Sequence, residues 1–481
     1  MKSLNRILIT SSIFLGVFLI GINGQIPNAM YFMPGVPQSN RINPAIQPGC
    51  NFYLGLPGVS PLRFQVSSSS LAFNDIVYYN ESIDSLITPF HPLGDKAGFL
   101  ENLEEVNYMM TSLGTSVASF GFRAGNNFFS VDVTPRFDGK IYYPKGIFEL
   151  MFNGAEDGSL ISLGGVGADI NLFTEAALGW SRRDILIPNL DFGIRGKLLF
   201  GIANLSTFNS ELDISTSQEV WNVNANMQVK ASAPSFVTFN EDVQNEEPVV
   251  IDRDFIDTAK VMELVQSGLN FDQFGMALDA GINYRPLPQL LVSASVMDLG
   301  GIKWKNTMEG AFDFEYDFEG IEVNPFTGVD TTFIRELQDS LMNAISFVTG
   351  NPYFSRLNTK LFVGVSYYPL EKIGIGLLSR TDFLNESISQ QFTGTVNMTT
   401  GKFINLSVSY SYLSRTFNNL GAGLSLNVGP FNMYMISDNI ISGALRPLET
   451  RSVNLWFGMN LTFGWKRVAG KAKAFDLPLI L

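Results

Sequence analysis

Few residues of this chain could do covalent or metal chemistry. His91 is its one histidine and Cys50 its one cysteine. A single imidazole and a single thiol exclude paired-histidine metal sites, Cys/His nucleophilic catalysis, cysteine zinc clusters and an intramolecular disulfide. His91 lies between Phe90 and Pro92 and reads as a structural or surface residue. Carboxylates occur in two runs. One comprises Glu241, Asp242, Glu246, Glu247, Asp252, Asp254 and Asp257; the other Glu309, Asp313, Glu315, Asp317 and Glu319. Calcium takes several carboxylate oxygens, but neither run has the Asp-x-Asp-x-Asp-Gly spacing of an EF-hand loop. Solvated loop charge is the simpler reading. Gly164-Gly165-Val166-Gly167 lacks the Lys-Ser/Thr ending of a phosphate loop. No residue is assigned a catalytic, cofactor-binding or metal-binding role, no cofactor is expected, and the chain does not read as an enzyme. With a net charge of −13 and no clustered Lys and Arg, nucleic acid is not an expected partner.

One set of charges has a pattern. Arg123, Asp132, Asp191, Arg195, Lys197 and Asp279 each sit on the polar side of an apolar–polar alternation. They could line a pore or bind a polar solute, or pair with one another to hold a filled lumen closed, since unpaired buried charge is costly.

The elements that must carry them are strands. Val453, Leu455, Phe457, Met459, Leu461 and Phe463 are apolar, while Asn454, Gly458, Asn460, Thr462 and Gly464 are small or polar, with Trp456 the exception. Period-two alternation gives one greasy and one wet face, over the roughly 9–11 residues a tilted membrane strand needs. Similar patterns recur at Leu190 to Ile202, Phe274 to Tyr284, Ile404 to Tyr412 and Leu420 to Val428. Short turns at Pro286-Leu287-Pro288, Pro369 to Lys372, Thr400-Gly401-Lys402 and Gly429-Pro430 alternate with longer links. That asymmetry is expected of a transmembrane antiparallel β-barrel. Fourteen strands are expected, starting near 117, 128, 162, 173, 190, 274, 289, 358, 373, 391, 404, 420, 431 and 453. Long excursions fall at 206–273 and 305–357, with helices expected near Asp254–Gln266 and Thr332–Val348.

Composition agrees with a hydrocarbon setting. Charged residues are 16% of the 481, against roughly 25% in soluble domains, and 40 phenylalanines and 44 glycines suit aromatic girdles and close-packed turns. The start, with Lys2, Arg6 and an apolar Ile7 to Ile22, reads as an export signal over 1–24, an uncleaved anchor being the competing reading. Residues 25–110, rich in proline at first and irregular later, are expected to form an N-terminal hatch or plug. Residues 111–465 are expected to form the barrel, and 466–481, with Lys466, Arg467, Lys471 and Lys473, a basic periplasmic tail.

Tyr31-Phe32-Met33, Asn43-Pro44-Ala45, the stretch Asp298 to Trp304, Gly429 to Tyr434 with Ser437-Asp438-Asn439, and the close Ser452 to Gly464 occur in an order that resembles an uncharacterised family of Bacteroidetes outer-membrane barrels, a domain of unknown function. More distantly, Asn43-Pro44-Ala45 and Asp298-Leu299-Gly300 are similar to the long-chain fatty-acid transporter class, which includes the shuttle barrel of type IX secretion. The resemblance implies fourteen strands and an N-terminal hatch in the cell outer membrane. It also implies contact with membrane lipid and lipopolysaccharide, and insertion by the barrel-assembly machinery.

The function expected on that basis is passage of a small hydrophobic solute across the outer membrane, with Gly300-Gly301 a candidate kink. The alternatives are a scaffold or shuttle for a secreted or envelope protein partner, and a secreted soluble β-sandwich binding protein, whose strands also alternate.

Overall fold

The computed structural model describes residues 27–465 except 155–157, 218–219, 233–236, 240–248, 252–272, 319–322, 325–327, 330–344, 385–387, 401–402, 414–415 and 441–448. The expected export signal, the basic tail, the helix near 254–266, residues 332–344 of the second expected helix and the whole first acidic run lie outside the described residues.

The wall begins with β1 (Phe52–Gly55) and β2 (Leu62–Ser68), followed by β3 (Val106–Thr115) and β4 (Ala118–Ala124). Long strands follow: β5 (Asn127–Pro144), β6 (Gly167–Arg182) and β7 (Leu190–Thr216). β8 (Trp221–Ser232) is an excursion strand, and β9 (Phe274–Leu287) and β10 (Leu290–Trp304) return to the wall. β11 (Met308–Phe318), β12 (Ile345–Thr349) and β13 (Tyr353–Arg356) lead to β14 (Thr359–Leu370). The circuit finishes with β15 (Ile373–Phe383), β16 (Ile388–Thr400), β17 (Ile404–Leu413), β18 (Thr416–Val428), β19 (Phe431–Ser437) and β20 (Ser452–Phe463).

Neighbours pair antiparallel all the way round. β20 then pairs with β1, Leu54 opposite Leu461, and with β2, Phe64 opposite Leu455. β1 with β2, and β3 with β4, each fill one wall position, so the ring is a closed fourteen-stranded antiparallel barrel. Closure leaves the fourteen-stranded wall itself without an edge and rules out the β-sandwich alternative.

The expected number of strands is right, but the set differs. The strands expected near 162 and 173 are a single β6, and the short strand Leu160–Ser162 pairs instead with the far end of β7. The missing member is the β1–β2 position, which the proline breaks at Pro57 and Pro61 disguise. The expected hatch boundary at 110 moves accordingly, because β1, β2 and the start of β3 belong to the wall. Within the later, irregular part of 25–110, a hairpin of Tyr78–Asn80 with Ser85–Ile87 precedes a helix, Lys96–Glu101. The two excursions extend the sheet on the long-loop side, β8 pairing with β7 and β11, and β11 with β12.

Polarity is inverted relative to a soluble core. Along β20 Asn454, Asn460 and Thr462 are buried, whereas Phe463 is 51% exposed. Leu178, Met276, Leu377 and Val396 are at least half exposed on the outer face. Trp456, which broke the alternation, faces inward at 2% exposure.

Candidate functional site

The site is the lumen. Residues 27–50 run inside the ring as two short 3₁₀ turns and connecting chain, almost wholly buried. Short-range turn bonds satisfy part of their backbone, and the wall must satisfy the rest. The carboxylate of Asp438 accepts the backbone N–H of Asn28 at 2.6 Å and of Ala29 at 2.9 Å. Asn454 Nδ2 donates to the same carboxylate at 3.0 Å. The Gly35 carbonyl accepts from Ser425 Oγ (2.7 Å) and Asn432 Nδ2 (3.0 Å). Gln38 Nε2 donates to Asn460 Oδ1 (2.5 Å), and the Ile42 carbonyl accepts from Ser295 Oγ (2.9 Å). Asn43 Nδ2 bridges the Tyr31 hydroxyl (3.0 Å) and Asn283 Oδ1 (2.9 Å).

Two wall glycines admit this segment. A Cβ on Gly193 would stand 2.1 Å from the Pro44 carbonyl oxygen, and one on Gly281 equally close to Asn43 Oδ1. On its apolar side Met30, Tyr31, Phe32 and Val36 pack against Phe362, Leu378, Ile436 and Trp456. Cys50, fully buried, packs with Tyr53 and Phe128.

Beside the plug lies an ionic network. Asp132 receives Arg41 from the plug and Arg195 at 3.1 Å. Arg195 also meets Glu175 (3.0 Å) and Asp279 (3.3 Å). Lys197 bridges Asp279 (2.7 Å) and Asp298 (2.6 Å). Arg136 joins Glu175 (2.8 Å), Asp298 (3.0 Å) and Asp138 (3.1 Å), and Lys360 reaches Asp298 at 3.3 Å.

Asp298 owes its place to a bulge. β9 and β10 slip register between Leu278/Ala280 and Leu299/Val296, and Met297 and Asp298 are both buried in succession. Its φ of +58° is the left-handed conformation that aspartate tolerates better than most residues. Its freed N–H donates to Asp279 Oδ1 at 2.8 Å. Without the extra residue the carboxylate would point outward. The irregularity therefore centres on Asp298, not on the expected Gly300-Gly301. Those glycines admit close backbone approach: a Cβ on either would meet a carbonyl oxygen at 2.1 Å.

Of the six charges expected to face inward, Asp132, Arg195, Lys197 and Asp279 meet in this network. Asp191 pairs separately with Arg285 at 3.1 Å, and Arg123 donates to Gln47 and to the Pro48 carbonyl. Pairing, the second of the two expectations, describes five of them, while Arg123 is satisfied by neutral oxygens of the plug. Arg41, Arg136, Asp138, Glu175, Asp298 and Lys360 escaped sequence reading. Arg136 and Glu175 follow the inward phase of β5 and β6 and were legible there. Arg41 ends the second 3₁₀ turn of the plug, outside any strand alternation, and Asp298 stands at a phase break. Elsewhere, His91 Nδ1 accepts the Leu93 N–H (3.2 Å), and Glu309 of the second acidic run pairs with Lys230 at 3.1 Å. The described part of that run, 309–318, lies along β11.

On the long-loop side of the plug the lumen opens into a narrow vestibule of about 50 Å³, lined by Arg63, Gln65, Arg136, Lys360, Arg380 and Trp456 among others. Arg380 and Asp382 form a two-bonded pair at 2.7 and 2.8 Å. The segments on which the family resemblance rested all face the lumen: Tyr31 with Asn43, Asp298 in the ionic network, and Asp438 with Asn454.

Fold and site together define a plugged, closed, fourteen-stranded β-barrel. The chain belongs to the Family of unknown function (DUF5723), whose pattern matches residues 44–438. No curated protein matches its sequence. Among solved structures it is similar to the TodX deltaS2S3 mutant monoaromatic hydrocarbon channel at 10% identity and TM-score 0.41, covering 89% of this chain and 94% of that one. It is similar also to the Pseudomonas putida toluene transporter TodX (9%, TM-score 0.37, covering 91% and 97%). A third is the translocator domain of the autotransporter NalP from Neisseria meningitidis (8%, TM-score 0.29, covering 86% and 88%). Likeness at these values carries nothing about a ligand.

Proposed function

We propose that the protein spans the outer membrane, inserted there by the barrel-assembly machinery and surrounded by lipid and lipopolysaccharide, and passes a small hydrophobic solute. The exposed apolar faces around a closed wall support the membrane setting, since only hydrocarbon makes such a surface favourable. The observation that carries the hydrophobic reading is an apolar seam between plug and wall that reaches the vestibule. Trp456 lines the vestibule and also belongs to the apolar cluster with Phe362, Leu378 and the plug residues Met30, Tyr31 and Phe32. The plug is held by hydrogen bonds, apolar packing and the Arg41–Asp132 pair, none of them covalent, and shifting it along that seam would open a path walled in part by apolar side chains. Uptake of a panel of labelled hydrophobic solutes, compared in cells with and without the protein, tests this. Faster entry of at least one is expected, and unchanged entry of all would remove the reading.

A second reading, a scaffold for an envelope protein, is favoured by the sheet extension of β8, β11 and β12 on the long-loop side. Stoichiometric recovery of a partner from outer membranes is its expected outcome, and recovery of none would count against it.

A further inference from the structure

Basic side chains outnumber acidic ones around the vestibule. Arg63, Arg136, Lys140, Arg356, Lys360 and Arg380 line it against Asp138, Asp169 and Asp382. Asp298 draws on Arg136 and Lys360 from below, and Asp382 holds Arg380. Arg63 differs. Its Nε and Nη2 are buried and have no hydrogen-bond partner among the described residues. Two residues on, Gln65, 6% exposed, has a buried Nε2 equally without one. Side chains at i and i+2 of a strand project to one face, and both residues line the same space. All three unmet groups are N–H donors, so only an acceptor can satisfy them, and the surrounding charge asks that it be negative. Nε–H and Nη2–H form one edge of the guanidinium fork, which matches two oxygens of a carboxylate or phosphate. Gly114 keeps that edge clear: a Cβ there would lie 2.8 Å from Arg63 Nε.

We propose that the vestibule is a binding site for a small oxyanion, a carboxylate or phosphate group, held two-pronged by Arg63 with Gln65 donating alongside. The ion comes from solution, because the site faces the lumen and not the lipid. The proposal rests on the vestibule alone and stands or falls separately from solute passage. Full-length protein purified in detergent is titrated with inorganic phosphate and, separately, with acetate, at ionic strength held constant with chloride. Tryptophan fluorescence, to which Trp456 at the site contributes, and calorimetry report binding. Saturable binding of at least one anion is expected, weakened tenfold or more in Arg63→Met and in Gln65→Leu. If Arg63→Met loses the heat-sensitive mobility of a folded barrel, Gln65→Leu decides alone. No saturation with either anion, or affinity unchanged in a folded variant, overturns the proposal.

Discussion

Asp298 shows how much one side chain can carry. It accepts from Arg136, Lys197 and Lys360 at a bulge that alone turns it inward. Removing one member of a buried ion network leaves its partners uncompensated, at a cost of about 3–5 kcal/mol. Asp298→Ala is therefore expected to lower unfolding stability in detergent by about that amount, read from urea-induced change in tryptophan fluorescence. A change below about 1 kcal/mol, the scale of an exposed pair, would show that the network does not hold the barrel. Sequence reading found the polar phase of the strands and so found Asp132, Arg195, Lys197 and Asp279. It missed Asp298 because a bulge is defined by its partner's register, which no single strand displays. It missed Arg63 and Gln65 because β2, bounded by Pro61 and a serine run, reads as a weak strand or part of a plug, with no inward face assigned.

On the proposed function, the plug is the element that must control passage. Its hold on the wall begins where the Asp438 carboxylate caps the N–H groups of Asn28 and Ala29. Bonds to a charged acceptor contribute about 1.5–3 kcal/mol each, so Asp438→Asn should loosen this end without disturbing wall pairing. Higher single-channel conductance in planar bilayers, with unboiled gel mobility unchanged, is expected. Conductance equal to the unsubstituted protein would place control elsewhere. The other end can be read through Cys50, which is fully buried against Tyr53 and Phe128. A maleimide should fail to label it in the folded barrel and label it completely in denaturant. Rapid labelling of the folded form would mean that the segment leaves the lumen readily. That residues near 25–50 do something other than form strands was legible from their prolines. Where they sit was not, because lodging depends on the absence of side chains at Gly193 and Gly281, far away in the chain.

For the whole molecule, the alternation of apolar and small or polar residues gave the architecture, and the burial of Asn454, Asn460 and Thr462 opposite outward Leu455, Leu461 and Phe463 agrees with it. The strand total came out right through two compensating errors, a division of β6 and an omission of β1–β2. Both arise because closure joins residues about four hundred positions apart, a relation that local periodicity does not contain. Closure is also what makes the molecule viable in lipid, since an open edge would leave unsatisfied backbone groups in hydrocarbon.

The seam between β2 and β20 is the most direct place to test this. Phe64 and Leu455 face each other there, and directly opposed residues of antiparallel strands lie within reach of a disulfide. In a Cys50→Ser background, Phe64→Cys with Leu455→Cys should cross-link within one chain under mild oxidation. After boiling without reductant, the closed loop should migrate apart from the reduced chain. Failure of this pair to cross-link, in protein that still inserts into membranes, would contradict a closed barrel.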